Sequence, residues 1–277
     1  LMLYKTQKEG RLEKEVARRA ADEGLEVREL SRLELDALQP HLSQEILGAV
    51  HYLCDAHTSP REIMIRLKDY LLGQGVAIRT REVVKDFTIQ GRAIAAIVTD
   101  KDTYRADEVV LASGSWSQLL GKKLGLSLSV QAGKGYRINV SRPTGIRMPA
   151  ILMESKVAVT PMRDFTRFAG TMEFSGINHR IRTERVRAIA RAAESYYPSL
   201  KITEKEMAEA KCGLRPVSPD GLPYIGRAGR YDNLTIATGH AMMGWSLGPA
   251  TGKLVPEIIA HKKPSMSLDG FHPDRKF

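Results

Sequence analysis

Only two cysteines, Cys54 and Cys212, occur among the 277 residues. Two thiols cannot build the disulfide framework of a small secreted scaffold, so free thiols in a reducing compartment are expected. Also lacking is an apolar run of about 20 residues, the length a membrane-crossing helix needs. The first residues, LMLYKTQKEG, carry neither a basic leader nor a signal-like apolar core. The expectation is a cytoplasmic protein, with peripheral attachment at the inner face of a membrane as its variant. No internal repeat and no low-complexity linker divides the chain, which argues against a solenoid and against two domains in series. A phosphate-binding loop is absent too: in GPATGK the glycines Gly248 and Gly252 stand one residue too close, and Leu254 follows Lys253 where Ser or Thr is required. A nucleoside triphosphatase is disfavoured on that ground.

What is present is a globular composition, 43% hydrophobic and 27% charged, with a net charge of +10. The positive balance favours acidic partners and supports one alternative reading, a non-catalytic basic binding module. The segment Arg180–Tyr197 carries five arginines, but Glu184 and Glu194 are interleaved and no recognised nucleic-acid motif accompanies them. A solvated helix face explains it better, and no nucleic-acid partner is expected. In HYLCDAH, His51, Cys54 and His57 have metal-like spacing without a second cluster to close a tetrahedral site, so no metal is assigned. Neither serine of SGSWS sits in a Gly-x-Ser-x-Gly elbow, and a hydrolase reading stays weak.

Periodicity and breakers predict helices over 8–23, 31–38, 59–72, 180–197 and 244–261. Strands are predicted over 76–80, 83–90, 92–100 and 107–114, with a buried stretch at Val109–Ala112, and then over 128–140, 153–162, 167–174 and 233–238. The opening LMLY reads as an interior strand. Helices and β-layers alternate without a clean boundary, which fits two interleaved domains.

Three segments are more specific than any of these: DEVVLASGSWS (Asp107–Ser117), KCGLRPVSPDGLPYIG (Lys211–Gly226) and ATGHAMMGWSLGPATGK (Ala237–Lys253). In this order and spacing, supported by DAHTSPREIMIRL, GKGYRINV and RFAGTMEFSG, the chain resembles the C-terminal half of the D-amino-acid oxidase, glycine oxidase and D-amino-acid dehydrogenase superfamily of FAD enzymes. The dehydrogenase branch looks closest. The resemblance implies a mixed α/β (α+β) fold. A partial FAD-binding domain over 59–120 and 226–262 is interleaved with a β-sheet substrate domain over 1–58 and 121–225, and 263–277 is a tail. Such enzymes open on a βαβ unit with Gly-x-Gly-x-x-Gly, which holds the FAD pyrophosphate at a helix N-terminus. The motif does not occur within these 277 residues. The expectation is therefore a truncated form, or a second chain that supplies a segment of more than about a hundred residues. Activity of the chain alone is not expected, and self-association through the uncovered apolar surface is.

The resemblance also assigns residues. FAD is the implied cofactor, with Val83 at the adenine, Ala112, Gly114 and Trp116 beside the flavin, and Gly239, His240, Met242, Met243, Gly244, Trp245 and Ser246 along the pyrimidine edge, where backbone amides and a helix N-terminus would face developing negative charge. His240 is read equally as a flavin contact or as a space-filling side chain. Arg215, in the Gly-Leu-Arg-Pro segment, is the implied carboxylate ligand of an amino-acid substrate, because a two-pronged guanidinium matches a carboxylate. Tyr136 and Tyr224 are its candidate companions; Tyr136 reads equally as a half-buried strand tyrosine. The implied reaction is oxidation of an α-amine: hydride leaves Cα for the flavin, and the imine hydrolyses to a keto acid and ammonia. Oxygen or a quinone then takes the electrons. Positioning does most of that work, which fits the absence of an obvious acid–base pair.

Overall fold

A computed structural model describes all 277 residues. In chain order the elements are β1 (Met2–Tyr4), α1 (Gln7–Asp22), β2 (Val27–Leu30), α2 (Arg32–Leu38), β3 (Gly48–Tyr52), α3 (Pro60–Gly73), β4 (Val84–Gln90), β5 (Ala93–Thr99), β6 (Thr103–Tyr104), β7 (Val109–Leu111), α4 (Ser117–Lys123), β8 (Gln131–Val140), β9 (Ala150–Leu152), β10 (Val157–Pro161), β11 (Thr166–Phe174), α5 (Thr183–Tyr196), α6 (Glu204–Ala208), β12 (Lys211–Val217), β13 (Tyr224–Arg227), β14 (Leu234–Thr238) and α7 (Gly244–Ile259). Eight strands form one sheet in the order β12-β8-β11-β10-β9-β1-β3-β2, and two three-stranded sheets run β13-β14-β7 and β4-β5-β6. This is the mixed α/β fold that the resemblance implied. Two units divide the chain, one of Leu1–Val76, Gly135–Met172 and His179–Gly213, the other of Ala77–Lys134, Glu173–Asn178 and Leu214–Phe277.

In the first unit the apolar opening segment is an interior strand, as read: β1 pairs antiparallel with β3 and parallel with β9. Leu3, Ala49 and Leu152 are fully buried there. The Thr6 side chain caps α1 by accepting the Glu9 N–H at 3.2 Å. Ser31 and Glu34 close a reciprocal capping box on α2. Helix α5 turns Val186, Ile189, Ala190, Ala193 and Tyr196 to the core that holds Phe168 and Ile138, while Arg185, Arg187 and Arg191 face water. A solvated arginine face is what the interleaved glutamates indicated. By contrast α3 buries none of its 14 residues, and Met64, Ile65 and Tyr70 are more than half exposed.

One predicted strand fails and another starts late. Residues 76–80 form none, because the alternation of VAIRT has no buried face to act on, with Val76 at 44% exposure. The predicted strand 153–162 begins only at Val157, since Met153–Lys156 make the turn between β9 and β10 and Lys156 takes a φ of 51°. Shorter elements were invisible to periodicity: β2, β3 and α6 are too brief to show it.

In the second unit the side chain of Asn233 acts as a piece of strand, accepting the Ile94 N–H at 2.9 Å and donating to the Ile94 carbonyl at 3.0 Å. It ties β5 to the start of β14. Arg227 forks onto Glu108 at 2.5 and 2.8 Å, fastening β13 to the entry of β7. No helix is long and apolar enough to cross a membrane.

One carboxylate organises the start of the first unit. Glu154 accepts from the backbone N–H groups of Lys5 and Thr6 at 2.8 and 2.9 Å, from the Thr6 hydroxyl, and from the Tyr196 hydroxyl. Burial works against its charge, but these donors outweigh burial and hold the carboxyl below its ordinary range. A depressed carboxyl stabilises the fold above its unfolded value of about 4.3, and that stability is lost as pH falls through the folded value. Glu154→Gln should therefore lower stability at pH 7 by about 1–2 kcal/mol and flatten the acid limb below about pH 4.5, measured by urea denaturation at several pH values.

Candidate functional site

Strands β7 and β14 lie parallel, with Leu234 opposite Val109 and Ile236 opposite Leu111, so the segments following them leave the sheet at the same edge. In open α/β sheets that carboxyl edge is where ligands bind. Three hydroxyls pin the two segments together. Thr238 donates to the Gly114 carbonyl at 3.3 Å, and Ser117 donates to the Thr238 hydroxyl at 2.8 Å. Because each hydroxyl has one proton, Ser113 must donate to Ser117 across their 3.1 Å contact. Ser117 and Thr238 are 0% and 2% exposed. Neither was singled out from the sequence, although a hydroxyl inside an apolar strand-end motif is the available signal.

Immediately after this pin the chain reverses. Gly239 takes a φ of +84°, and a Cβ there would lie 3.0 Å from Cδ2 of Tyr224. Only glycine suits both demands. His240 follows, bridged to Val217, with Nε2 2.8 Å from the Thr251 hydroxyl of α7. Thr251 donates its single proton to the Leu247 carbonyl at 3.1 Å, so Nε2 of His240 is the donor and Nδ1 the acceptor. Burial pulls this imidazole below its ordinary value, which keeps it neutral near pH 7. Helix α7 then begins at Gly244 with no side-chain cap. Met242, Met243, Trp245 and Trp116 are 70, 54, 47 and 45% exposed. Ala112 and Ser246 are exposed as well, and Gly114 takes a φ of +55° with nothing within 4 Å of a built Cβ. The structure thus brings Ala112, Gly114, Trp116 and 239–246 to one sheet edge. Val83 stands apart, just before β4, its N–H donating to Asp100 Oδ1 at 2.8 Å and its carbonyl accepting the Asp100 N–H at 3.0 Å.

Arg215 lies half-buried on β12, and burial pulls its guanidinium below the usual value. Tyr224 is 1% exposed; its hydroxyl donates to the Ser129 carbonyl at 3.4 Å, and the cation over its ring is Arg275, at 3.9 Å. Tyr136, also 1% exposed, belongs to β8 of the first unit and donates to the Arg180 carbonyl at 3.5 Å.

Two cavities of about 380 and 440 Å³ share Gln118, Gln131 and Phe174. The first adds Ser115, Leu119 and Ile177, and the second Ser129, Val217 and Ser218. Their walls are uncharged. A third cavity of about 790 Å³ is lined by Thr88, Gln90, Thr103 and Arg105, and none of the three cavities is lined by a predicted site residue, Arg215 included. Behind the shared walls, Lys134, wholly buried, lies 3.2 Å from Glu173 and donates to Asn178 Oδ1 at 2.6 Å. This buried pair ties the segment bearing Gln131 to the segment bearing Phe174 and Ile177. Sequence reading passed over it, because a lysine and a glutamate about 40 positions apart look like two surface charges.

The family model described as "DAO: FAD dependent oxidoreductase" matches residues 1–258. A D-amino acid dehydrogenase of Helicobacter pylori is 29% identical over 231 residues, covering 83% of this chain and 55% of the relative. A D-amino acid dehydrogenase of Paramagnetospirillum magneticum is 30% identical over 248 residues, covering 87% and 58%. The chain therefore spans a little over half the length of the curated relatives it matches. Among solved structures, glycine oxidase from Geobacillus kaustophilus superposes with a TM-score of 0.90 at 24% identity, over 100% of this chain and 74% of that one.

The glycine turn is testable by comparing two substitutions. Gly239→Ala meets the Tyr224 ring in addition to backbone strain and should cost about 2–4 kcal/mol, whereas Gly114→Ala, with open space around it, should cost about 1 kcal/mol. Urea denaturation of both variants gives the comparison.

Proposed function

The chain belongs to the DAO family of FAD-dependent oxidoreductases, and from that premise we propose that it carries the substrate side of an enzyme that oxidises the α-amine of an amino acid. The observation that carries the reading is Arg215, a guanidinium withdrawn from water on β12 rather than displayed on the surface. Two parallel N–H donors in a low-dielectric setting hold a carboxylate firmly and fix the direction of the bond to Cα. Gln118, Gln131, Ser129 and Ser218 line neutral cavities of the same unit and are proposed as hydrogen-bonding partners for the rest of the substrate. Tyr136 is proposed as a second polar contact, and Tyr224 as the support behind the Gly239 turn.

The residues at the sheet edge fit the cofactor's ring. Gly114 leaves a Cβ-sized space open, α7 starts without a side-chain cap, and Met242, Met243, Trp116 and Trp245 offer apolar faces. When bound, FAD accepts the hydride from Cα. This chain's contribution is to hold the substrate carboxylate, to direct the amides at 242–246 toward negative charge on the pyrimidine edge, and to exclude water with its apolar side chains. Residues 59–120 and 226–262 are proposed for the cofactor and 1–58 and 121–225 for the substrate. Oxygen and a quinone are both open as electron acceptors. Since the 277 residues contain no Gly-x-Gly-x-x-Gly turn, tight FAD binding is proposed to need a segment bearing one, from the same polypeptide or a second chain. The uncovered apolar side chains of α3 fit such a partner and equally fit self-association.

A visible absorbance spectrum tests this. The purified 277-residue chain should be colourless and release added FAD on gel filtration; co-expression with a segment bearing the phosphate turn should give a yellow protein that is bleached by a D-amino acid, glycine or sarcosine. A yellow complex that no amino acid bleaches would refute the substrate class, and stoichiometric FAD on the lone chain would refute the need for a second segment.

A further inference from the structure

The last residues of the chain lie beyond the family match, which ends at 258, yet Arg275 among them makes five hydrogen bonds within the second unit. Arg275 donates Nε to Asp220 Oδ2 at 2.9 Å and Nη2 to Asp220 Oδ1 at 3.1 Å. Nη2 also reaches the Leu222 carbonyl at 2.7 Å, and Nη1 reaches the carbonyls of Pro223 and His272 at 3.2 and 3.3 Å. A guanidinium has five N–H groups, and these five bonds engage them all. Its plane covers the Tyr224 ring, and the side chain is only 12% exposed. Neighbouring residues fasten the same stretch. Asp274 accepts the Gly229 N–H at 2.8 Å, Pro273 packs 3.0 Å from the space a Cβ on Gly226 would take, and Phe277 meets the Tyr224 ring edge-on at 6.4 Å.

What this tail grips is the turn Ser218–Leu222. On its inner side Ser218 donates to the Leu222 carbonyl at 2.7 Å, and Val217, Ser218 and Pro219 form part of the wall of the cavity of about 440 Å³. The Leu222 carbonyl thus accepts from Ser218 on the cavity side and from Arg275 on the outer side. We propose that His272–Phe277 is a clasp that fixes the Ser218–Leu222 turn, and that Arg275 is a positioning residue for the Val217–Pro219 wall of the cavity. Freed from the clasp, a turn with glycine at 221 and proline at 219 and 223 would keep the Ser218 bonds to the Leu222 and Gly239 carbonyls, the Gly221 N–H bond to the Ser218 carbonyl and the Leu222 N–H bond to Asp220, and would lose every bond on its outer side to Arg275. The wall would then be held from its inner side, by the Ser218 bond to Gly239 and the bridge from Val217 to His240, and would lose its outer support. The clasp rests on contacts alone; its effect on substrate rests on the function proposed above.

Hydrogen exchange on the 277-residue chain reads the clasp without any activity. Arg275→Ala should speed exchange at least tenfold at the amides of Leu222, Gly229 and their neighbours, while β1, β3 and β9 keep their protection. Arg275→Lys should behave like the alanine variant, because an ammonium cannot replace a flat five-donor fork. Unchanged exchange at 218–229 in Arg275→Ala, or full protection in Arg275→Lys, would overturn the clasp. In the flavin-loaded enzyme Arg275→Ala should raise KM about tenfold with kcat nearly constant. An unchanged KM there would overturn the positioning role, whereas a wild-type enzyme that oxidises no amino acid would count against the proposed function and leave exchange to decide the clasp.

Discussion

Strand β14 must stop at Thr238 and reverse within one residue, and much of the second unit depends on how that is done. The reversal needs a positive φ at 239 and no side chain there, since a Cβ would lie 3.0 Å from the Tyr224 ring. From it follow the Thr238 pin on the Gly114 loop, the bridge from His240 to Val217, and the start of α7 at Gly244. The same ring carries Arg275 at 3.9 Å, so the turn and the chain's tail meet at one aromatic residue. A glycine-rich run read as a cofactor edge is therefore also the mechanical joint of the unit.

Charge is handled differently in the interior and at the surface. With 42 basic and 32 acidic residues the surface is strongly positive, and most of its ion pairs are exposed and contribute little. The informative charges are withdrawn from water: Lys134 with Glu173, Glu154 under four donors, Arg275 on Asp220, and Arg215 on β12. Removing one partner of a buried pair leaves the other uncompensated, at a cost of about 3–5 kcal/mol. Two of these pairs, Lys134 with Glu173 and Arg275 with Asp220, stand beside segments that line the cavities.

Much of this was legible from residues. Long helices with caps, such as α1, α2 and α5, and the strand–glycine–helix passage at 234–259 could be read because period, cap and breaker agree. The residues Gly114, Trp116 and 239–246 were grouped by motif order, and the parallel pairing of β7 with β14 brings them to one edge. What stayed hidden depends on contacts between distant positions. VAIRT has strand alternation but no buried face, Lys134 looks like a surface lysine until Glu173 folds over it, and nothing in the sequence HPDRKF tells that Arg275 reaches back to Asp220. Tyr224 illustrates the same limit, since its residue type fits a substrate hydroxyl while its surroundings make it a packed ring.

The central claim is that a half-buried arginine on β12 holds the substrate by its carboxylate. Steady-state kinetics of Arg215→Lys in the flavin-loaded enzyme, set beside Arg215→Ala, tests it most directly. The account predicts that lysine, which keeps the charge and loses the fork, raises KM about 10–100-fold, that alanine raises it further, and that neither variant changes the flavin spectrum. Unaltered KM in Arg215→Lys together with unaltered KM in Arg215→Ala would contradict it.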